Sequence, residues 1–136
     1  MTPEPKPFDP MAFEDVSSGD LQIKSPVDGA PTTMVITLAG PEQPDRKARL
    51  FARQRRMRSA FAKAGGKMPV NDPVDDAADE LDEVVACTLN WKGSATPYSV
   101  EAARALYSDP KRRWLFDQVK QALQERELFT RSFAQT

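Results

Sequence analysis

The sequence predicts an α+β fold, mainly helical, with an N-terminal β-hairpin followed by about four helices in one small domain. Three observations carry this expectation. Two short alternating runs, Leu21-Gln22-Ile23-Lys24 and Met34-Val35-Ile36-Thr37-Leu38, flank a stretch containing Asp28-Gly29, and alternation interrupted by turn formers is a hairpin signal. Val74, Ala77, Ala78, Leu81, Val84, Val85, Thr88 and Leu89 recur at helical spacing, as one apolar stripe requires. Asp72-Pro73 and Asp109-Pro110 each place a capping carboxylate before a proline at the first helical position.

Taken in order, residues 1–19 read as a flexible proline-rich leader, with Pro3, Pro5, Pro7 and Pro10. Proline fixes φ and lacks an amide donor, so it disfavours helix and sheet interiors. Phe8, Met11 and Phe13 are the leader's candidate contact points. In the second strand Met34, Ile36 and Leu38 share one face, with Thr33, Val35 and Thr37 on the other. The turn from Ser25 to Pro31 is longer than the tightest hairpin loop, and Gly40-Pro41 ends the strand. A lone hairpin is marginal in water, so this one must pack on the helices or pair with another chain.

A helix is expected over 45–64, with Asp45 as cap or first-turn acid and Gly65-Gly66 as stop. Leu50, Met57, Phe61 and Ala64 form its stripe. The rest of its surface is basic, through Arg46, Lys47, Arg49, Arg53, Arg55, Arg56, Arg58 and Lys63. After a connector at 67–71, Asp72 caps the next helix, whose first turns carry Asp75, Asp76, Asp79 and Glu80 where they favour the helix dipole. That helix is expected to run through Leu89, with Trp91 closing it. After the turn at Lys92-Gly93-Ser94, Pro97-Tyr98-Ser99 opens a short helix with Ser99 as cap and Val100, Ala103, Leu106 and Tyr107 as its apolar face. Asp109-Pro110 opens the last helix, expected to run to about Leu128 on Leu115, Val119, Ala122 and Leu123, with Phe116 and Trp114 adjoining. The domain is thus expected over 20–130, with a flexible tail at 131–136; past the last helix, Phe129 and Phe133 are both assigned to the C-terminal tail.

Composition narrows the chemistry. The 136 residues include no histidine, a single cysteine and 12 prolines; net charge is −1 and mean hydropathy −0.57. Without histidine, Ser-His-Asp and Cys-His catalysis and ordinary zinc sites are excluded. Cys87 has no partner for an intramolecular disulfide, which fits a reducing compartment, and its place beside an apolar stripe reads as inert packing. The start has no basic and apolar signal pattern. No apolar run approaches the roughly 18 residues that span a bilayer. The acidic run DPVDDAADELDE lacks the central glycine and ligand spacing of a calcium loop, so it reads as an acidic helix start. No enzyme activity, metal or cofactor is expected.

The basic helix admits two uses. It can follow nucleic-acid phosphates, although no base-reading motif accompanies it. It can instead meet carboxylates, and residues 72–83 hold seven acids and no base, so the two helices could neutralise one another within a subunit or between subunits. This second use is favoured. Arg53, Arg55, Arg56, Arg58, Asp75, Asp76 and Asp79 are therefore the candidate protein-binding residues. Trp91, Tyr98, Tyr107 and Trp114 read as core anchors and helix-junction staples, with an interface role as the alternative.

The order of these parts resembles the tail assembly chaperones of long-tailed, non-contractile bacteriophages and related prophages. The likeness rests on the Pro-Val-Asp-Gly hairpin ending in Leu38-Ala39-Gly40, the basic helix, the tryptophan turn of ACTLNWKG, and TPYSVEAARALYSDPKRRWLFDQVKQAL. It covers about residues 20–130. Its motif residues are Trp91, Gly93, Pro97, Tyr98, Ser99, Ala103, Leu106, Asp109 and Pro110. The leader and the acidity of the second helix have no counterpart in it. The resemblance implies a non-enzymatic protein of the bacterial host cytoplasm, absent from the finished virion. Such a protein binds and solubilises the tape measure protein in several copies and helps recruit tail tube subunits. Members of the family often have a longer frameshifted product, to which this chain would be the short form. The alternatives are a small nucleic-acid-binding module using helix 46–63, or a structural head-tail joining protein.

Overall fold

In the computed structural model, which describes residues 5–68 and 72–132, the chain is a mainly helical α+β fold. The expected hairpin forms from β2 (Ser18–Lys24) and β3 (Pro31–Ala39), paired antiparallel from Ser18↔Ala39 to Lys24↔Pro31. Its loop closes through Ser25 N donating to Ala30 O at 2.8 Å and Gly29 N to Ser25 O at 2.9 Å. Asp28 Oδ1 accepts from Ala30 N, and this contact, with the Ser25 hydroxyl, holds its carboxyl below the usual aspartate range. The face carrying Ile36 and Leu38 is buried, as the alternation predicts.

α1 (Pro44–Lys63) and α2 (Pro73–Cys87) follow. The next element corrects the sequence reading. The second helix stops at Cys87, and Trp91 does not close a helix. It lies in a third strand, β4 (Thr88–Lys92), which pairs with β3 through Ile36↔Trp91. Pairing with β3 satisfies the backbone groups that helix continuation would have satisfied locally. A β-bulge opposite Leu38 skips Leu89, so Thr88 and Trp91 are buried while Leu89 is exposed. This breaks the alternation that marks a strand in sequence.

α3 (Val100–Ser108) starts as expected, whereas α4 (Arg113–Ala122) starts three residues beyond the expected Asp109-Pro110 opening. Ser99 Oγ accepts from Ala102 N, and Asp109 caps a 3-10 turn over Pro110–Arg112 that leads into α4. α4 is shorter than expected, ending at Ala122 instead of Leu128, and a 3-10 turn at Arg126–Phe129 follows. The expected apolar face of α4 is buried: Leu115, Phe116, Val119, Ala122 and Leu123 pack with Ile23, Ile36, Leu38, Val84, Val85, Ala103 and Tyr107 in one core.

Phe129 is not part of a tail. Its side chain is buried beside Gly40, where an added Cβ would lie 2.9 Å from its ring. The chain then forms β5 (Thr130–Ser132), antiparallel to β1 (Phe13–Asp15). Residues 13–19 of the expected leader and 131–132 of the expected tail are therefore strand or strand-linking structure. The reason is tertiary: Val16 N donates to Phe129 O at 2.8 Å, and Arg126 and Arg131 pair with Asp15 and Glu14. Short polar strands of this kind carry no local signal. The first four leader residues, Pro69 to Asn71 of the connector, and tail residues 133–136 with Phe133 lie outside the described residues. Among the described residues no helix is long and apolar enough to cross a membrane.

Candidate protein-binding surface

α1 begins firmly. Gln43 is its cap, accepting from Arg46 N at 2.7 Å, and Pro44 takes the first turn; Asp45 is a first-turn acid instead of the cap. The Arg46 guanidinium donates to Ala39 O at 2.7 Å and Leu123 O at 2.8 Å, and sits 5.8 Å from the Phe129 ring centroid. One side chain thus ties the helix to the end of β3, the end of α4 and the C-terminal turn. One turn on, Arg49 Nε lies 3.0 Å from Glu83 Oε2, and Arg53 lies 3.7 Å from the same oxygen. The expected neutralisation of the basic helix by the acidic one therefore occurs inside the chain, through Glu83.

Past Arg53 the attachment ends. Arg55, Arg56 and Arg58 are exposed and have no ion-pair partner among the described residues. None of the 20 residues of α1 is buried. Leu50 is 42% exposed, Phe51 47%, Met57 58% and Phe61 44%. At about 100° per residue, Leu50, Met57 and Phe61 fall within roughly 40° of one another, so the predicted stripe exists and is uncovered. Scattered exposed apolar residues are ordinary, but a line of them on one helix is a candidate contact surface.

α2 repeats the pattern in the opposite sense. Asp72 caps it as expected, accepting from Val74 N at 2.9 Å. The stripe is buried only in the second half, at Val84 and Val85; Val74, Ala77 and Ala78 are exposed. Glu80 meets Lys120 at 2.7 Å and Asp82 meets Arg104 at 2.7 Å. Asp75, Asp76 and Asp79 are exposed and form no ion pair among the described residues. Between α1, α2 and α4 lies an open cleft of about 410 Å³, lined by Arg46, Arg53, Asp76, Asp79, Glu83 and Lys120 among others. Charges of both signs suit it to a polypeptide better than to a small ion of one sign. No described group of three acids or thiols is arranged to hold a metal. At the cleft floor, burial and the neighbouring Glu83 carboxylate push the Cys87 thiol up, which keeps it protonated and unreactive.

The motif residues lie elsewhere and are structural. Trp91 is 5% exposed, donates from Nε1 to Thr96 O at 2.8 Å, and meets Tyr98 edge-on at 5.1 Å. Tyr98 OH donates to Thr88 O at 2.9 Å. Thr88 Oγ1 donates to Val84 O, so Tyr107 OH, 2.8 Å away, is the donor to Thr88. Burial pushes the Tyr107 phenol up to about 12. Gly93 has φ 75°, and a Cβ there would overlap the Thr33 carbonyl oxygen. Ala103 is fully buried, Leu106 half-buried and Pro97 exposed. Trp114 is partly exposed, so it is not a core anchor. Sequence reading placed Thr88 only on the α2 stripe and did not foresee the roles of Thr96 O, Glu83 or Arg46; those of Glu83 and Arg46 depend on partners 34 and 77 positions away. In the leader, Phe8 and Phe13 are exposed and stack at 5.6 Å. Set beside known proteins, the chain matches no family model, no curated protein and no solved structure.

Proposed function

We propose that the chain is a phage tail assembly chaperone that binds and solubilises the tape measure protein without catalysis. The observation that carries this reading is α1: a 20-residue helix with no buried residue and with Leu50, Met57 and Phe61 aligned and exposed. An amphipathic helix of this kind can lay its stripe along the apolar face of a helical client, and its flanking arginines suit a client with acidic positions. On this reading the protein works in the bacterial host cytoplasm, helps bring tail tube subunits to the client, and is absent from the finished virion.

Co-expression with a tape measure protein tests it. The chain should move the client from the insoluble to the soluble fraction and copurify with it. The triple substitution Leu50→Ser, Met57→Ser, Phe61→Ser should abolish both effects. A client that stays insoluble beside the intact chain would sink the reading. The unpaired Arg55, Arg56 and Arg58 favour a second reading, a nucleic-acid-binding module. A salt-sensitive gel shift lost on Arg55→Glu/Arg56→Glu, together with no effect on client solubility, would select it. Recovery of the chain in stoichiometric amount from purified particles would instead select a head-tail joining protein.

A further inference from the structure

The sheet runs in the order β2-β3-β4, so β2 is an edge strand with one side taken by β3. Along a strand, successive residues turn their N–H and C=O groups to alternate edges. Ser17 O accepts from Gly40 N, and Ile23 O accepts from the Thr32 hydroxyl. Ser17 and Ile23 thus face β3, and Val16, Gln22 and Lys24 face outward. Val16 N donates to Phe129 O. Beside Gly19 the turn at Arg126–Phe129 closes the edge, because an added Cβ there would overlap Leu128 O. At Lys24 both outward groups are taken by one side chain of α4, 94 positions away: Gln118 Oε1 accepts from Lys24 N at 3.1 Å, and Gln118 Nε2 donates to Lys24 O at 2.8 Å. This is the two-bond exchange that an opposed residue of an antiparallel strand would make. Beside it an open groove of about 410 Å³ runs between β2 and α4, lined by Leu21, Gln22, Lys24, Gln118, Gln121 and Glu125 among others.

We propose that this groove is a strand-addition site for an extended segment of a partner polypeptide, and that the Gln118 amide holds the place of its main chain until it arrives. The seated amide names the occupant. It presents one carbonyl and one N–H to Lys24, so what replaces it is a residue's own C=O and N–H. The lining favours the same kind of ligand: one cation, Lys24, one anion, Glu125, and the amides of Gln22, Gln118 and Gln121. With no surplus of either sign, recognition falls to main-chain bonds, as in other additions of a strand to a sheet edge. α4 stands along the edge, so the space suits a single strand rather than the sheet edge of a second copy, which carries its own α4. An edge left open pairs indiscriminately. A side chain that must first be displaced restricts the site to segments that bond Lys24 and Gln22 better than one amide does. The segment bound here is extended, whereas α1 is read above as meeting a helical client, so neither reading depends on the other.

Amide NMR of the full chain, titrated with a blocked hexapeptide of alternating threonine and valine, tests the site. Every second residue of the peptide is N-methylated, so that one edge alone can pair and the peptide does not stack on itself. It should shift the main-chain amide signals of Gln22 and Lys24 and speed exchange of the freed Gln118 side-chain amide. The same peptide methylated at every nitrogen should do neither. Gln118→Ala removes the competing group and should tighten binding by about five- to tenfold, the worth of one to two hydrogen bonds. Gln118→Glu still accepts from Lys24 N but has nothing to donate to Lys24 O, and should tighten it less. A Gln118 that served packing alone would lower the melting temperature and leave peptide affinity unchanged. Should Gln118→Ala fail to fold, Gln118→Glu must still bind the peptide more tightly than the intact chain does. Unshifted Gln22 and Lys24 signals, equal affinity with and without the Gln118 amide, or equal binding of the fully methylated peptide would each overturn the proposal. So would concentration-dependent association of Gln118→Ala in sedimentation velocity, which would name a second copy as the occupant. None of these results depends on client solubility.

Discussion

At the Trp91 junction every large group has a neighbour; on α1, from Leu50 onward, almost none does. The junction runs from β4 through the turn to α3. There Trp91 is packed against Tyr98, its N–H is taken by Thr96 O, and two tyrosine hydroxyls converge on Thr88. α1 is more than twice as long as α3 and buries nothing. Its hold on the body comes from charged and polar contacts near its start, at Arg46, Arg49 and Arg53. The junction therefore contributes to the packed core, whereas the exposed apolar residues of α1 do not. Apolar periodicity alone does not distinguish a stripe that meets a core from one left open.

The junction side of this contrast breaks most visibly at Trp91. Trp91→Ala removes a nearly buried indole, and about 3–5 kcal/mol of stability should go with it. Urea denaturation would read this directly, and an unchanged midpoint would remove Trp91 from the core. Gly93→Ala comes next, at about 2–4 kcal/mol. It combines a left-handed backbone unfavourable to a side chain with overlap at the Thr33 carbonyl oxygen. Loss of the β3–β4 pairing would accompany it, seen as faster amide exchange at Asn90 and Trp91.

Tyr107 gives a smaller and pH-dependent effect. Its phenol is pushed up to about 12 in the fold, against about 10 in an unfolded chain. The raised value means that the folded state holds the proton longer. The stabilisation is fully present below about pH 10 and is lost as pH rises towards 12, by about 1.4 kcal/mol per pH unit. Melts across that window should steepen for the intact chain and flatten for Tyr107→Phe. That variant should itself cost about 0.5–1.5 kcal/mol at neutral pH for the lost bond to Thr88. Parallel slopes for the two chains would place the Tyr107 hydroxyl in water.

How far each region was legible follows from the same physics. The α2 stripe, the Asp72 and Ser99 caps and the hairpin alternation are local patterns, and local patterns survive in sequence. In sequence, β4 reads as the end of a helix because Thr88 continues the α2 spacing, and only pairing with β3 overrides it. Phe129 reads as tail because nothing near it in sequence reveals the space beside Gly40. The β1–β5 pair depends on residues more than 110 positions apart, such as Glu14 and Arg131. At the candidate site, the residue types of Arg53, Arg55, Arg56 and Arg58 and of Asp75, Asp76 and Asp79 could be read directly. Their division into paired Arg53 and unpaired remainder could not, because it depends on where Glu83 lies.

The smallest expected effect sharpens the contrast most. Serine in place of Leu50, Met57 and Phe61 removes side chains that are already about half exposed, so much less transfer free energy is lost than at a buried site. Each substitution should change stability by about 0.5–1 kcal/mol or less. Part of even that change would be helix propensity, since serine is a poorer helix former than leucine or methionine. Far-ultraviolet circular dichroism should show the helical signal retained, and the melting temperature should stay close to that of the intact chain. The same three substitutions at buried positions such as Leu115, Val119 and Phe116 would leave little folded protein. If the α1 triple variant instead unfolds with them, its stripe is covered in solution and α1 belongs to the core. If it folds normally and loses only its hold on a client, stability and binding reside on separate helices.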